Sequence, residues 1–389
     1  MTILEIAFII LIFIVFYTYI GYGIVLGILV KLKRKKDETT QDVQLPEVTL
    51  FITAYNEEDV VQDKMKNCHE LDYPENKIKI VWVTDGSNDK TNKLLDHYKD
   101  VEVYYEPARR GKTAAMNRGM KYVTTPIVIF TDANTYINRN AIKEIVLCFN
   151  NNKVGCVAGE KRIADNNKNV ASSGEGAYWK YESTLKKWDY ELYSAVGAAG
   201  ELFAIRTNLF NEMPEDTLLD DFILSMKIVQ KGYVIAYCDK AYAIEGGSAN
   251  MKEEEKRKVR IAAGGLQSIY RLRSLLNIFK YKTFSFQYIS HRVLRWSITP
   301  ICLFILIPVN LFLMTNAEIS QKYNIIFLCQ ILFYTFGFIG YYLSKKNVNN
   351  KLFYIPYYFL FMNFNVIKGF FYMIKKKRND GTWEKSKRA

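Results

Sequence analysis

Four times between Val48 and Thr131 the chain runs through a short β-prone apolar stretch and then stops abruptly in polar side chains. The stretches are 48–54, 78–84, 101–105 and 127–131, and helical stretches (59–70, 91–98 and 113–122) lie between them. Such regular alternation predicts an α/β domain with a doubly wound, mostly parallel sheet. In sheets of that kind ligands bind beyond the carboxyl ends of the strands. Asn56, Glu57, Asp85, Asp132 and Asn134 are therefore expected along one edge. A turn-forming role accounts for each of them singly. It does not account for their recurrence at strand ends. Asp132 and Asn134 stand two residues apart, so a carboxylate and an amide oxygen can face one hard cation, Mg²⁺ or Mn²⁺.

The ends of the chain are of a different kind. Ile3 to Leu32 is apolar and aromatic, long enough to span about 30 Å of hydrocarbon. Lys31, Lys33, Arg34, Lys35 and Lys36 follow, which places the next residues in the cytoplasm by the positive-inside rule. Residues 296–315 and 324–343 are each about long enough to span again. Residues 352–374 hold Pro356, Asn363, Asn365 and Lys368, so a re-entrant, interfacial or polar-path segment is expected there. The domain plan that results is a membrane helix over 1–32 and a linker over 33–46. An α/β domain follows over 47–250, then interfacial helices over 251–290, membrane segments over 291–374 and a basic tail over 375–389.

Lys and Arg number 53 against 40 Asp and Glu, a formal net charge of +13. With long apolar runs and nothing like a nucleic-acid module, the excess points to a membrane surface and to phosphate. The six cysteines are scattered, without a C-x-x-C, and the three histidines are too few for a histidine metal centre. Arg109, Arg110 and Lys112 form a cationic loop beside the acids. Gly111-Lys112-Thr113 ends like a phosphate-binding P-loop, but Glu106 stands where that motif needs glycine, so an NTPase is excluded. Basic side chains at a helix start can still hold a diphosphate.

Taken together these residues resemble the family 2 glycosyltransferases. These are inverting, membrane-anchored enzymes with a GT-A fold, related to cellulose, chitin and hyaluronan synthases. Thr53-Ala54-Tyr55-Asn56-Glu57 resembles the family's first-strand signature, and Asp85-Gly86-Ser87-Asn88-Asp89 its D-G-S-x-D element. Gly111 to Asn117 resembles G-K-x-x-A-x-N, and Asp132-Ala133-Asn134 stands at the D-x-D position with an amide for the second acid. The resemblance implies nucleotide-sugar contacts at Ala54, Tyr55, Asn56, Glu57, Asp85, Lys112 and Asp132, and a metal at Asp132 and Asn134.

Further along, residues 195–206 begin small and flexible and end as a strand, like the family's acceptor-lining stretch, which points to Gly200 and Glu201. Asp220 and Asp221 head a helix and resemble the E-D element, whose second acid is the general base. Arg257 and Arg260 stand at the Gln and Arg places of Q-x-x-R-W, near the diphosphate, with Ile261 at the Trp place. The expected activity is transfer of a sugar from a nucleotide donor, expected to be UDP-linked, to a polysaccharide or lipid-linked acceptor of the cell envelope. The lipid bilayer is an expected partner, and the location is the plasma membrane, multi-pass, with a cytoplasmic catalytic domain. A processive synthase with coupled translocation and an inactive glycan-binding scaffold are the alternatives.

Overall fold

A computed structural model of the chain describes residues 2–33, 44–164, 170–315, 320–346, 348 and 350–375, the side chains of 170–177 and 320 excepted. The basic run at 34–36, most of the linker and the tail beyond Lys375 lie outside the described residues.

The first helix, α1 (Ile3–Leu32), is continuous except for one π turn at Tyr17–Gly21. Thr2 starts it with a capping box: its hydroxyl accepts from the Glu5 amide, and the Glu5 carboxylate accepts from the Thr2 amide. The α/β domain then runs β1 (Val48–Ala54), α2 (Val61–His69), β2 (Ile78–Asp85), α3 (Thr91–Leu95), β3 (Val101–Glu106), α4 (Lys112–Gly119) and β4 (Ile127–Asp132). It continues with β5 (Tyr136–Ile137), α5 (Ala141–Cys148), β6 (Val154–Ile163), α6 (Val170–Leu192), β7 (Leu202–Arg206), α7 (Asp220–Gln230) and β8 (Val234–Glu245).

One eight-stranded sheet collects them in the order β3-β2-β1-β4-β7-β6-β8-β5. The half β3-β2-β1-β4 is parallel, as the alternation requires. The other half is mixed, because β7 runs antiparallel between β4 and β6. Register fixes the edge. Ala54 lies opposite Thr84, and Thr53 lies opposite Asp132, so β1, β2 and β4 end level with one another.

Period-two alternation sends successive side chains to opposite faces. Leu50, Ile52 and Trp82 enter the core on one face, and Phe51, Val83 and Phe130 enter that on the other. Helix α4 seats against this second face through Gly119. A Cβ there would stand 2.4 Å from Val83 Cγ2 and 2.5 Å from Phe51 Cζ. Gly119→Ala is expected to destabilise the domain by about 1–3 kcal/mol through overpacking, read as a lowered Tm of the full chain in detergent. An unchanged Tm would mean that α4 shifts freely.

Beyond the sheet come α8 (Met251–Arg271), α9 (Thr283–Trp296), α10 (Ile298–Met314), α11 (Ser320–Lys345) and α12 (Lys351–Lys375). Among the described residues α1 and α11 are long and apolar enough to cross a membrane. The pair α9 and α10, bent by 52° around Ser297, adds a third span if it counts as one. The segment around Pro356 is a single helix. It lies along α8 so closely that a Cβ on Gly369 would stand 2.6 Å from that of Ala262. Its amides Asn363 and Asn365 are buried among protein.

Candidate active site

The site begins with a turn. Gly86 adopts φ +67° and its amide donates to the Glu106 carbonyl, closing the end of β2 against that of β3. A side chain at Gly86 would meet the Arg109 backbone at 2.8 Å. Asp85 is buried, and its carboxylate accepts from the amides of Arg110 (3.1 Å) and Gly111 (2.7 Å), with Arg118 at 3.9 Å. The acid therefore shapes the cationic loop from within. Asn56, at φ +52°, exchanges hydrogen bonds with Asn88, and the Arg109 guanidinium lies 3.8 Å above the Tyr55 ring. Ala54, Tyr55, Asn56, Glu57 and Asp85 thus form one neighbourhood at the ends of β1 and β2.

Lys112, the first residue of α4 after Gly111 (φ +97°), joins this neighbourhood to a second one. Its Nζ donates to Asp132 Oδ1 at 2.6 Å and stands 3.7 Å from Asp220 Oδ2. Burial alone would depress the ammonium. The charges of Asp132, Asp220 and Asp221 overcome that and raise it above the ordinary lysine range. Gly200 lies against the same atoms: a Cβ on it would be 3.2 Å from Lys112 Nζ and 3.5 Å from Asp221 Oδ2. The backbone of the small-residue stretch approaches the acids because it carries no side chain there.

Asp221 is the second residue of α7, and its Oδ1 accepts from the Phe222 amide at 2.8 Å. Burial pushes its carboxyl up to about 7. Asp220 and Glu201 add to the rise, and Lys112 and the Phe222 hydrogen bond oppose it. Asp132, Lys112, Gly200, Glu201, Asp220 and Asp221 all line one cavity of about 720 Å³, and so do Arg257 and Arg260 of α8. The residues of the first neighbourhood do not line it. The cavity extends away from the sheet to Tyr19 of α1 and to Phe359, Met362 and Asn363 of α12.

Two features had no counterpart in the sequence reading. Lys161, buried on β6, pairs with Glu201 and, at 2.6 Å, with Glu245. Burial would raise the Glu201 carboxyl, but Lys161 holds it below its usual range. Helix α6 supplies Glu182, Lys186 and Asp189, all buried. Glu182 pairs with Arg292, with Arg295 (3.0 Å) and with His291, and Asp189 accepts from His291 (2.6 Å) and from Tyr22 of α1. The spacing 182-186-189 was the available signal: it sets three charges on one helical face.

A divalent cation would find oxygen donors at the end of β4. Lys112 takes one oxygen of Asp132, Oδ1, which leaves Oδ2 as a candidate donor, while Asn134, expected as the second ligand, does not line the cavity that Asp132 lines. A carboxylate oxygen suits Mg²⁺ or Mn²⁺, which complete their shell with phosphate and water. No cluster of three acids, histidines or cysteines suited to a metal occurs among the described residues. Asp132→Ala is expected to remove the metal dependence of nucleotide binding, measured by titrating UDP with and without Mn²⁺. Retained dependence would take Asp132 out of the metal site.

Comparison with known proteins bears on the family and the fold. Residues 49–213 match the Glycosyl transferase family 2 domain. The chain is 25% identical over 367 residues to a poly-beta-1,6-N-acetyl-D-glucosamine synthase of Staphylococcus epidermidis, covering 89% of this chain and 88% of that one. It is 29% identical over 197 residues to a beta-monoglucosyldiacylglycerol synthase of Nostoc, covering 47% of this chain and 41% of the relative. A probable glycosyltransferase of Bacillus subtilis, YdaM, matches at 25% over 253 residues, 59% of its length. Among solved structures the mannosyltransferase PcManGT from Pyrobaculum calidifontis, in complex with GDP-Man and Mn²⁺, superposes with a TM-score of 0.72 at 20% identity. It covers 96% of this chain and 99% of its own, which shows a shared GT-A fold.

Proposed function

We propose that this chain, a glycosyltransferase with a family 2 domain over residues 49–213, moves a sugar from a nucleotide donor to a glycan or lipid-linked acceptor at the membrane surface. One observation carries the reading: a single cavity joins Lys112, Asp132 and Asp221 to the faces of α1 and α12. The donor end is the one at Lys112. Lys112, Arg257 and Arg260 bind and orient the diphosphate, and the loop held by Asp85 supports the nucleoside side. A divalent cation held by Asp132 and Asn134 would neutralise charge developing on the leaving diphosphate.

The acceptor hydroxyl enters beside Gly200. Its oxygen attacks the anomeric carbon, the bond from that carbon to the diphosphate oxygen breaks, and the proton passes to Asp221. One displacement inverts the anomeric centre and needs no enzyme nucleophile. A base whose proton affinity lies near neutrality suits this transfer, and burial between Asp220 and Glu201 is what places Asp221 there. Asp220 keeps Lys112 in register with the base.

The relatives named as synthases make glycans and glycolipids, and membrane association fits α1 and α11. The basic residues around Leu32 support a cytoplasmic side for the α/β domain. UDP is the expected nucleotide. The test is product analysis after incubating the full chain with UDP-sugars: a β-linked product from an α-linked donor supports inversion, and retention contradicts it. Product length separates single transfer from processive synthesis.

A further inference from the structure

Lys186 is only 4% exposed, yet it lines the cavity. Among the described residues no hydrogen bond or ion pair engages its ammonium, whereas the buried Arg257, Lys258, Arg292 and Arg295 of the same lining each pair with a glutamate. Burial, with Arg292 nearby, depresses it, while Glu182, Asp221 and Glu201 favour its charge. A buried ammonium without a counter-ion is costly unless a ligand supplies one.

The surroundings point the same way. Of the lining side chains eight are Lys or Arg and four are Asp or Glu. The acids behind the wall do not correct the imbalance, because each serves two cations. Glu182 carries Arg292 and Arg295, and Glu254 carries Arg257 and Lys258. The donor diphosphate offsets the charges around Lys112, but it arrives with a divalent cation of its own. The surplus stays on the α6 and α9 side, next to the apolar residues Phe359, Met362 and Val366 of α12.

We propose that Lys186, with Arg292 and Arg295, forms a second anion subsite in the cavity that binds a phosphate group carried by the acceptor. This rests on the glycosyltransferase reading and narrows its acceptor to a phosphate-bearing one. Lys186 supplies the unpaired charge. Arg292 and Arg295 already have Glu182 and turn toward the phosphate without leaving it. A phosphate here lies on the membrane side of Asp221, separate from the donor's diphosphate at Lys112.

The test uses the full chain in phosphatidylcholine nanodiscs with UDP saturating, so that the donor subsite is filled. Dodecyl phosphate, inorganic phosphate and dodecanol are titrated in turn. Dodecyl phosphate is expected to bind more tightly than dodecanol. Lys186→Met is expected to weaken it about tenfold, the loss of one charge-assisted contact, Lys186→Arg to keep it, and both to leave UDP affinity unchanged. Dodecyl phosphate tighter than inorganic phosphate assigns the group to a lipid, and equal affinities assign it to a soluble chain; either supports the subsite. Wild-type binding of dodecyl phosphate no tighter than dodecanol overturns it, as does unchanged binding in Lys186→Met. Failure of UDP itself to bind would instead strike the donor reading, and the phosphate titration would still decide the subsite.

Discussion

Asp221→Asn is expected to lower the rate of sugar transfer by about 10²–10⁴-fold, the range for loss of a general base, with donor affinity within a few-fold of wild type. The amide fills the same space at the start of α7 and its oxygen still accepts from the Phe222 amide, but it cannot take the acceptor proton. The wild-type enzyme supplies a second readout. A base held near 7 is protonated below that pH, so kcat/KM should rise about tenfold per pH unit through the acid range and level off above about 7. The stability signs run opposite to activity. The folded carboxyl binds its proton more tightly than the unfolded one, so between pH 4 and about 7 the unfolded state carries fewer protons and stability falls as pH rises. Asp221→Asn should therefore raise Tm relative to wild type at pH 8 and lose that advantage at pH 4. A flat pH–rate profile, or near-normal turnover in the variant, would remove Asp221 from the proton transfer.

Lys112→Met should act on the other half of the cavity. The ammonium offsets the like charges of Asp132, Asp220 and Asp221, and it is a cation that the proposed function assigns to the donor diphosphate. Loss of a charge-assisted contact to phosphate costs about 1.5–3 kcal/mol, so UDP should bind roughly ten- to hundredfold more weakly. The same change leaves the acid cluster uncompensated, and the pH at which activity levels off should move upward. Weakened donor binding without the alkaline shift would mean that Lys112 touches the donor but does not tune the base. Direct calorimetric titration of UDP, with the pH–rate profile beside it, separates the two effects.

Much of this was legible in the residues. The first half of the sheet follows from short apolar strands with polar ends. Asp132 and Lys112 were expected at the donor, Gly200 and Glu201 at the acceptor and Asp221 as the base, and all five line one cavity. Asp85 was legible as a strand end and was expected to contact the nucleotide; its carboxylate is buried and accepts from the amides of the cationic loop. The second half was harder. Lys161 near the end of β6 and Glu245 at the end of β8 look like surface residues until the two are set against each other and Glu201. Helix α6 carries Glu182, Lys186 and Asp189 on one face, a pattern that reads as solvated. They are buried because α9, with His291, Arg292 and Arg295, lies across them, and that contact spans about a hundred residues of chain. The segment holding Pro356 was ambiguous for the same reason. Its polar residues settle against α1 and protein, and local pattern carries no trace of such distant neighbours.

Release of nucleoside diphosphate from UDP-, GDP- and TDP-sugars by the purified full chain, compared with Asp132→Ala and Asp221→Asn, tests the account most directly. It predicts donor-dependent release by the wild type with one nucleotide, near-complete loss in both variants, and retained nucleotide binding only in Asp221→Asn. Release by both variants at the wild-type rate, or from none of the donors in any form, would contradict it.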